Sequence, residues 1–153
     1  MFRATSIDLP GWSYFVVHHD QKRMFQMIRV TCALIESDGR LLCARRSPTM
    51  SHPGKWEFPG GKIEEGETED ECLIREIREE LGVEVQIVER LGGFPHTYAN
   101  GFSLELIPFR CQLIQGTPVA REHDALCWLS VGNLWDLDWA GADVPVVRHY
   151  LSR

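Results

Sequence analysis

Apolar and polar residues alternate along this chain in a way that predicts short strands around one strong helix. Residues 28–36 (IRVTCALIE) and 40–45 (RLLCAR) are rich in apolar and β-branched residues and flank Ser37-Asp38-Gly39, a hairpin signal. Three further runs, at 83–90, 92–98 and 102–114, read as strands, the last two joined by a turn at Ala99-Asn100-Gly101. The ALCWL run at 125–129 is another short strand. Residues 47–61 hold three prolines and a turn signal at Pro53-Gly54, and read as a loop. A brief helix is expected from Ser130 or Asn133, and a second helix over 144–151. Residues 1–26 have no clear period.

The strongest helix signal lies between Thr68 and Gly82. Thr68 and Glu71 have the spacing of a capping box, and Gly82 suits the left-handed residue that ends a helix. Cys72, Leu73, Ile77 and Leu81 form an apolar stripe that can face a core. Glu76, Glu79 and Glu80 fall at i, i+3 and i+4, on one helical face. Between Lys62 and Glu84 there are ten acidic residues against three basic ones, Lys62, Arg75 and Arg78. Two like charges about 4 Å apart cost roughly 1 kcal/mol in water and about 4 kcal/mol at an effective dielectric near 20. So dense a cluster needs either open solvent or a bound cation. Three carboxylates on one face are hard oxygen donors of the kind Mg²⁺ and Mn²⁺ prefer.

The segment also resembles a known family. Gly61, Glu67, Arg75-Glu76, Glu79-Glu80 and Gly82-Val83, with Ile77 in the aliphatic slot, meet every fixed position of the Nudix box. WEFPGG at 56–61 is similar to the MutT-type nucleoside triphosphate pyrophosphohydrolases, and the resemblance runs more loosely from about Met27 to Leu151. It implies an α/β/α sandwich of the α+β type, with a mixed central sheet, the box helix and a C-terminal helix. It also implies one hydrolase domain over 27–153, with residues 1–26 as an N-terminal extension: an ordered arm, a dimer contact or an upstream addition.

The resemblance further implies a Mg²⁺-dependent enzyme, with Mn²⁺ as an alternative ion, that converts (deoxy)nucleoside triphosphates to monophosphate and pyrophosphate. Glu76, Glu79 and Glu80 match the family's metal ligands, and the carbonyl of Gly60 or Gly61 is a further oxygen. Glu122, in a loop before ALCWL, matches an additional carboxylate, as outer ligand or water activator, with Glu76 its rival as general base. Arg75 is expected to hold Glu67 or Glu76 by a charge-assisted bond. Arg45 and Lys62 are candidate phosphate contacts, and Arg46 reads equally well as a solvated surface residue.

Base choice is read from fewer residues. Phe58 suits either an apolar base slot or the core. Asp143 stands where the oxidised-guanine hydrolase pattern carries Asn. An ionised Asp only accepts hydrogen bonds, which suits an exocyclic amino group such as that of cytosine. EHDALCW and WAGADVPVV resemble the CTP pyrophosphohydrolase branch, which tilts the expectation to cytosine nucleotides, with 8-oxo-dGTP the alternative. A protonated Asp143 could donate instead, and Asp143 could also serve as N-cap of the 144–151 helix. Tyr98 and Pro95 keep the dinucleoside polyphosphate and ADP-ribose subclasses open. A non-catalytic nucleotide-binding module is the remaining alternative, although such modules usually lose box carboxylates that this chain keeps.

Bulk properties agree with these expectations. With 153 residues, 44% hydrophobic, the chain has room for one domain. A net charge of −6 with no basic stripe argues against nucleic acid polymers as partners. Five cysteines without CxxC spacing read as free thiols in a reducing, cytoplasmic setting. No run is long enough to span a membrane. The expected partner is a nucleotide substrate, and the expected assembly a monomer or homodimer.

Overall fold

A computed structural model describes residues 27–153 in full and the backbone of 4–9 and 12–17. Strands β1 (Ala4–Leu9) and β2 (Trp12–Val17) pair antiparallel. The reading of 1–26 as an extension otherwise lies outside the described residues. From there the order is β3 (Ile28–Ser37), β4 (Arg40–Arg45), β5 (Trp56–Glu57), β6 (Gly60–Lys62), α1 (Glu69–Leu81), β7 (Glu84–Arg90), β8 (Phe94–Thr97), β9 (Ser103–Gln115), β10 (Ala125–Ser130), a 3₁₀ turn over Val131–Asp136, and α2 (Val144–Leu151).

The main sheet runs β10-β4-β3-β9-β7, with β5 on β4, β6 on β3 and β8 on β9. It is mixed: β3 pairs parallel with β9, and β4 antiparallel with β10. Alternation along the strands supplies the sandwich. Cys32 and Leu34 of β3 face a core with Leu134, Trp139, Val146 and Val147. Ala33 and Ile35 face the opposite core, with Leu73, Ile77 and Leu81 of α1. The sheet is thus covered by α1 on one face and α2 on the other, the expected α/β/α arrangement.

Residues 47–61 are not a plain loop. Trp56 and Glu57 pair with Arg45 and Ala44, and Gly60 and Gly61 pair with Cys32 and Thr31. Prolines 53 and 59 lie outside both short strands, so neither removes a ladder hydrogen bond. This second pairing partner ties the residues before the box to two central strands.

Helix α1 begins as its sequence dictates. The Thr68 hydroxyl accepts from the Glu71 amide at 3.2 Å, and the Glu71 carboxylate accepts from the Thr68 amide at 2.9 Å. Gly82 ends the helix at φ 68°, a left-handed conformation that costs glycine no side-chain clash. All five cysteines are free thiols, four of them buried. Among the described residues no helix is long and apolar enough to cross a membrane.

Candidate functional site

The acidic face of α1 packs against the glycine pair of β6. A Cβ added at Gly61 would lie 2.5 Å from both carboxylate oxygens of Glu76, so only glycine leaves room for that carboxyl. Arg75 clamps the same region. Its Nε and Nη2 donate to the two Glu67 oxygens at 2.6 and 3.0 Å, and its Nη1 donates to Glu76 at 2.7 Å. Nη2 also reaches the Lys62 carbonyl at 3.3 Å. The guanidinium therefore joins helix, loop and strand, and it holds the Glu67 carboxyl down at about 2.

Glu80 is the most buried of the helix carboxylates, at 6% exposure. Its Oε2 accepts from the Gly60 amide at 3.2 Å, and among the described residues it has no ion-pair partner. Burial pushes its carboxyl well above the usual range, and Glu76, Glu122 and Glu57 push the same way. Burial likewise raises Glu76 against the opposing pull of Arg75, with Glu79 and Glu122 adding to the rise. Glu79 is exposed and touches Arg75 at 3.4 Å. Among the described residues, no three acidic, thiol or imidazole groups are drawn together as a ready ligand cluster. The donors are still of the right kind for a hard cation: carboxylates whose mutual repulsion and burial a positive ion would relieve.

The loop that carries Glu122 is stitched to the last turn of α1. The Val119 amide donates to the Leu81 carbonyl at 3.0 Å, and the Arg121 amide to that of Glu80 at 3.3 Å. The Arg121 guanidinium donates to the carbonyls of Arg78 and Glu79 at 3.3 and 3.4 Å; the first also accepts from the Gly82 amide, and the second is an acceptor the helix end leaves open. Glu122 is thereby set beside α1 although 42 residues separate it from Glu80.

A cavity of about 360 Å³ adjoins this region; Gly60, Glu80 and Glu122 line it together with Glu57, Phe58, Tyr98, Trp139 and Asp143. Phe58 is both core and wall: it is 3% exposed and its ring lies 4.7 Å from that of Trp139. Asp143 is 4% exposed. Its carboxylate accepts from the Phe58 amide at 2.9 Å and makes no side-chain cap on α2, so capping is not its task. Burial, and then Glu57, push its carboxyl well up, against the Phe58 amide and Arg46. Burial also raises the Tyr98 phenol to about 12.

The two candidate phosphate contacts lie outside the cavity lining. Arg45 is bound to Asp124 at 2.7 Å and lies over the Trp56 ring at 5.8 Å, outside the cavity lining. Lys62 is half-buried on β6 and is not part of the lining either. Arg46 is not a solvated surface residue: it is 5% exposed and bonds Glu57 at 2.6 Å. The Gly61 carbonyl accepts from the Thr31 hydroxyl at 3.3 Å and the Cys72 thiol at 3.5 Å. Both of its lone pairs are engaged, which favours the Gly60 carbonyl of the two. Sequence reading passed over Glu57, Arg121 and His123; the strand alternation of Trp56-Glu57-Phe58 was the one available signal for Glu57.

Comparison with known proteins shows the family. The chain matches the NUDIX domain over residues 26–150 and belongs to that family. It is similar to a CTP pyrophosphohydrolase of Escherichia coli (strain K12), 35% identical over 127 residues, covering 83% of this chain and 93% of that protein. It is also similar to a putative 8-oxo-dGTP diphosphatase 2 of Mycobacterium tuberculosis, 40% identical over 124 residues, covering 78% and 84% of the two chains. A solved MutT protein of the Nudix hydrolase family, from methicillin-resistant Staphylococcus aureus 252, superposes with a TM-score of 0.68 at 41% identity, over 83% of this chain and 97% of that one. The chain is accordingly a Nudix hydrolase, and members of that family generally use a divalent metal.

Proposed function

We propose that the chain hydrolyses (deoxy)nucleoside triphosphates to monophosphate and pyrophosphate, and so clears the nucleotide pool of the cytoplasm. The observation that carries this reading is one cavity lined both by the acidic residues Glu80 and Glu122 and by Phe58, Trp139 and Asp143. A triphosphate ester needs both surfaces: hard oxygen donors for the metal on its phosphates, and an apolar slot with one aimed polar group for its base. Glu76, Glu79, Glu80, Glu122 and the Gly60 carbonyl would hold Mg²⁺ or Mn²⁺, which would supply charge neutralisation at the phosphates. Arg75 keeps Glu76 oriented.

Asp143 is the base reader in this proposal. One of its oxygens accepts from Phe58, which fixes the carboxyl plane. The other is available to a base edge. Both named relatives above act on triphosphates, and the cytosine nucleotide of the first suits a carboxyl facing an exocyclic amine. Turnover of CTP, dCTP, dGTP and 8-oxo-dGTP with Mg²⁺ tests the proposal. A lead for cytosine nucleotides supports it, whereas a lead for 8-oxo-dGTP moves the base assignment and leaves the reaction class.

A further inference from the structure

Glu57 is held from two sides by residues that sequence reading did not connect to it. Its Oε2 accepts from Arg46 Nη1 at 2.6 Å, and its Oε1 pairs with His123 Nε2 at 2.8 Å. Both partners are almost entirely enclosed, with side-chain exposures of 6% for Arg46 and 1% for His123. Neither holds Glu57 by chance of surface geometry. Arg46 is itself fixed, since its Nε donates to the Ser51 carbonyl at 2.6 Å and its backbone bonds Lys55 and Gly54. A carboxylate accepts only, so the His123 nitrogen facing it carries the proton. The other ring nitrogen, Nδ1, is buried with no partner among the described residues.

A buried polar atom left unpaired costs free energy, so the bond from Nε2 to Glu57 is the contact that orients this ring. With each oxygen accepting one bond, the carboxylate retains lone pairs, and Glu57 lines the same cavity as Asp143 and Phe58. Asp143 reaches the amide of the very next residue, Phe58. Glu57 is therefore a fixed acceptor on the cavity wall, aimed by two rigid donors.

We propose that His123 and Arg46 are positioning residues that lock Glu57 as a hydrogen-bond acceptor for a donor group of the bound nucleotide, a sugar hydroxyl or an exocyclic amine. The inference rests on the nucleotide-hydrolase reading. It also explains why the loop bearing Glu122 is joined to the base-side wall: adjacent residues of one loop serve the acidic face and the pocket.

The test compares His123→Gln, whose side-chain amide can keep a donor where Nε2 stands, with His123→Asn and His123→Phe, which cannot. Binding of CMP and GMP is measured by calorimetry, alongside KM and kcat on the triphosphates and thermal stability. Loss of one bond to a charged acceptor weakens binding by roughly tenfold. The expected result is a rise of that size in Kd and KM for the Phe and Asn variants, kcat nearly unchanged, and rescue by Gln. In the His123→Phe/Glu57→Gln double variant the two effects should not add, because both act through one carboxylate. Equal affinity in all folded variants, or additive effects in the double variant, overturns the proposal. If His123→Phe does not fold, the Gln and Asn pair still decides it. A wild-type chain that binds nucleotide but does not hydrolyse it would defeat the functional reading and leave this test intact. One that binds neither nucleotide defeats both.

Discussion

The carboxylate of Glu76 occupies the space that a side chain on residue 61 would need: a Cβ there would stand 2.5 Å from each of its oxygens. Gly61 is thus a packing partner of the acidic face, and the box glycine has a steric reason. In Gly61→Ala either the carboxyl or strand β6 must move. Overpacking of this kind costs about 1–3 kcal/mol, and a misplacement near 1 Å costs roughly a hundredfold in rate. We expect turnover to fall by about that factor while the melting temperature drops only a few degrees, as read by kinetics and thermal melts of the same preparation.

Glu80 separates function from stability. It is buried, it lacks an ion-pair partner among the described residues, and three neighbouring carboxyls oppose its charge. Glu80→Gln removes a charge that the fold does not favour. The expected result is unchanged or higher thermal stability together with a loss of turnover of roughly a hundredfold or more, corresponding to about 3 kcal/mol of metal-assisted charge stabilisation. Glu79→Gln should lose activity similarly with little effect on stability, since the Glu79 side chain is exposed and its ion pair with Arg75 is long, at 3.4 Å.

The Arg75–Glu67 clamp gives a pH dependence of defined sign. The Arg75 guanidinium holds the Glu67 carboxyl at about 2, against an ordinary value of 4.5. The folded pKa lies below the unfolded one, so the clamp contributes its full stability above about pH 4.5 and loses it as pH falls toward 2. Melting temperatures of wild type and Glu67→Gln should therefore differ most at neutral pH and converge through that acidic window. A constant gap from pH 7 to pH 2 would remove the clamp from the account.

Much of this fold was legible in the chain. Thr68, Glu71 and Gly82 carry their helix signals locally, because caps and left-handed turns are determined within a few residues. The runs at 28–36 and 102–114 likewise read as strands, and the fold adds that the two faces of β3 meet different cores. The short strands at Trp56–Glu57 and Gly60–Lys62 escaped, since two or three residues show no period and proline argues for loop. What made them strands is their pairing with β4 and β3, a tertiary fact.

The candidate site divides along the same line. Glu76 and Glu80 could be grouped from helical spacing alone, whereas Glu57, Arg46 and His123 come from three separate segments and meet only in the fold. Asp143 was singled out, but its partner was not: a bond to an amide 85 residues away leaves no local trace.

Asp143→Asn tests how the base is read. Because the carboxyl is buried and bonded to Phe58, an amide of equal size should fit with little loss of stability. An amide presents a donor as well as an acceptor, so kcat/KM should shift between cytosine and guanine nucleotides by roughly tenfold, the value of one hydrogen bond. Equal losses on every base would make Asp143 a structural residue instead.

The central claim is that the acidic face and the base slot act on one nucleotide. Phosphorus NMR of CTP incubated with the protein and Mg²⁺ tests it most directly, because it identifies the bond that breaks. The account predicts CMP and pyrophosphate, with no CDP and no free phosphate. Release of phosphate with the diphosphate, or no change in any of CTP, dCTP, dGTP and 8-oxo-dGTP, would contradict it.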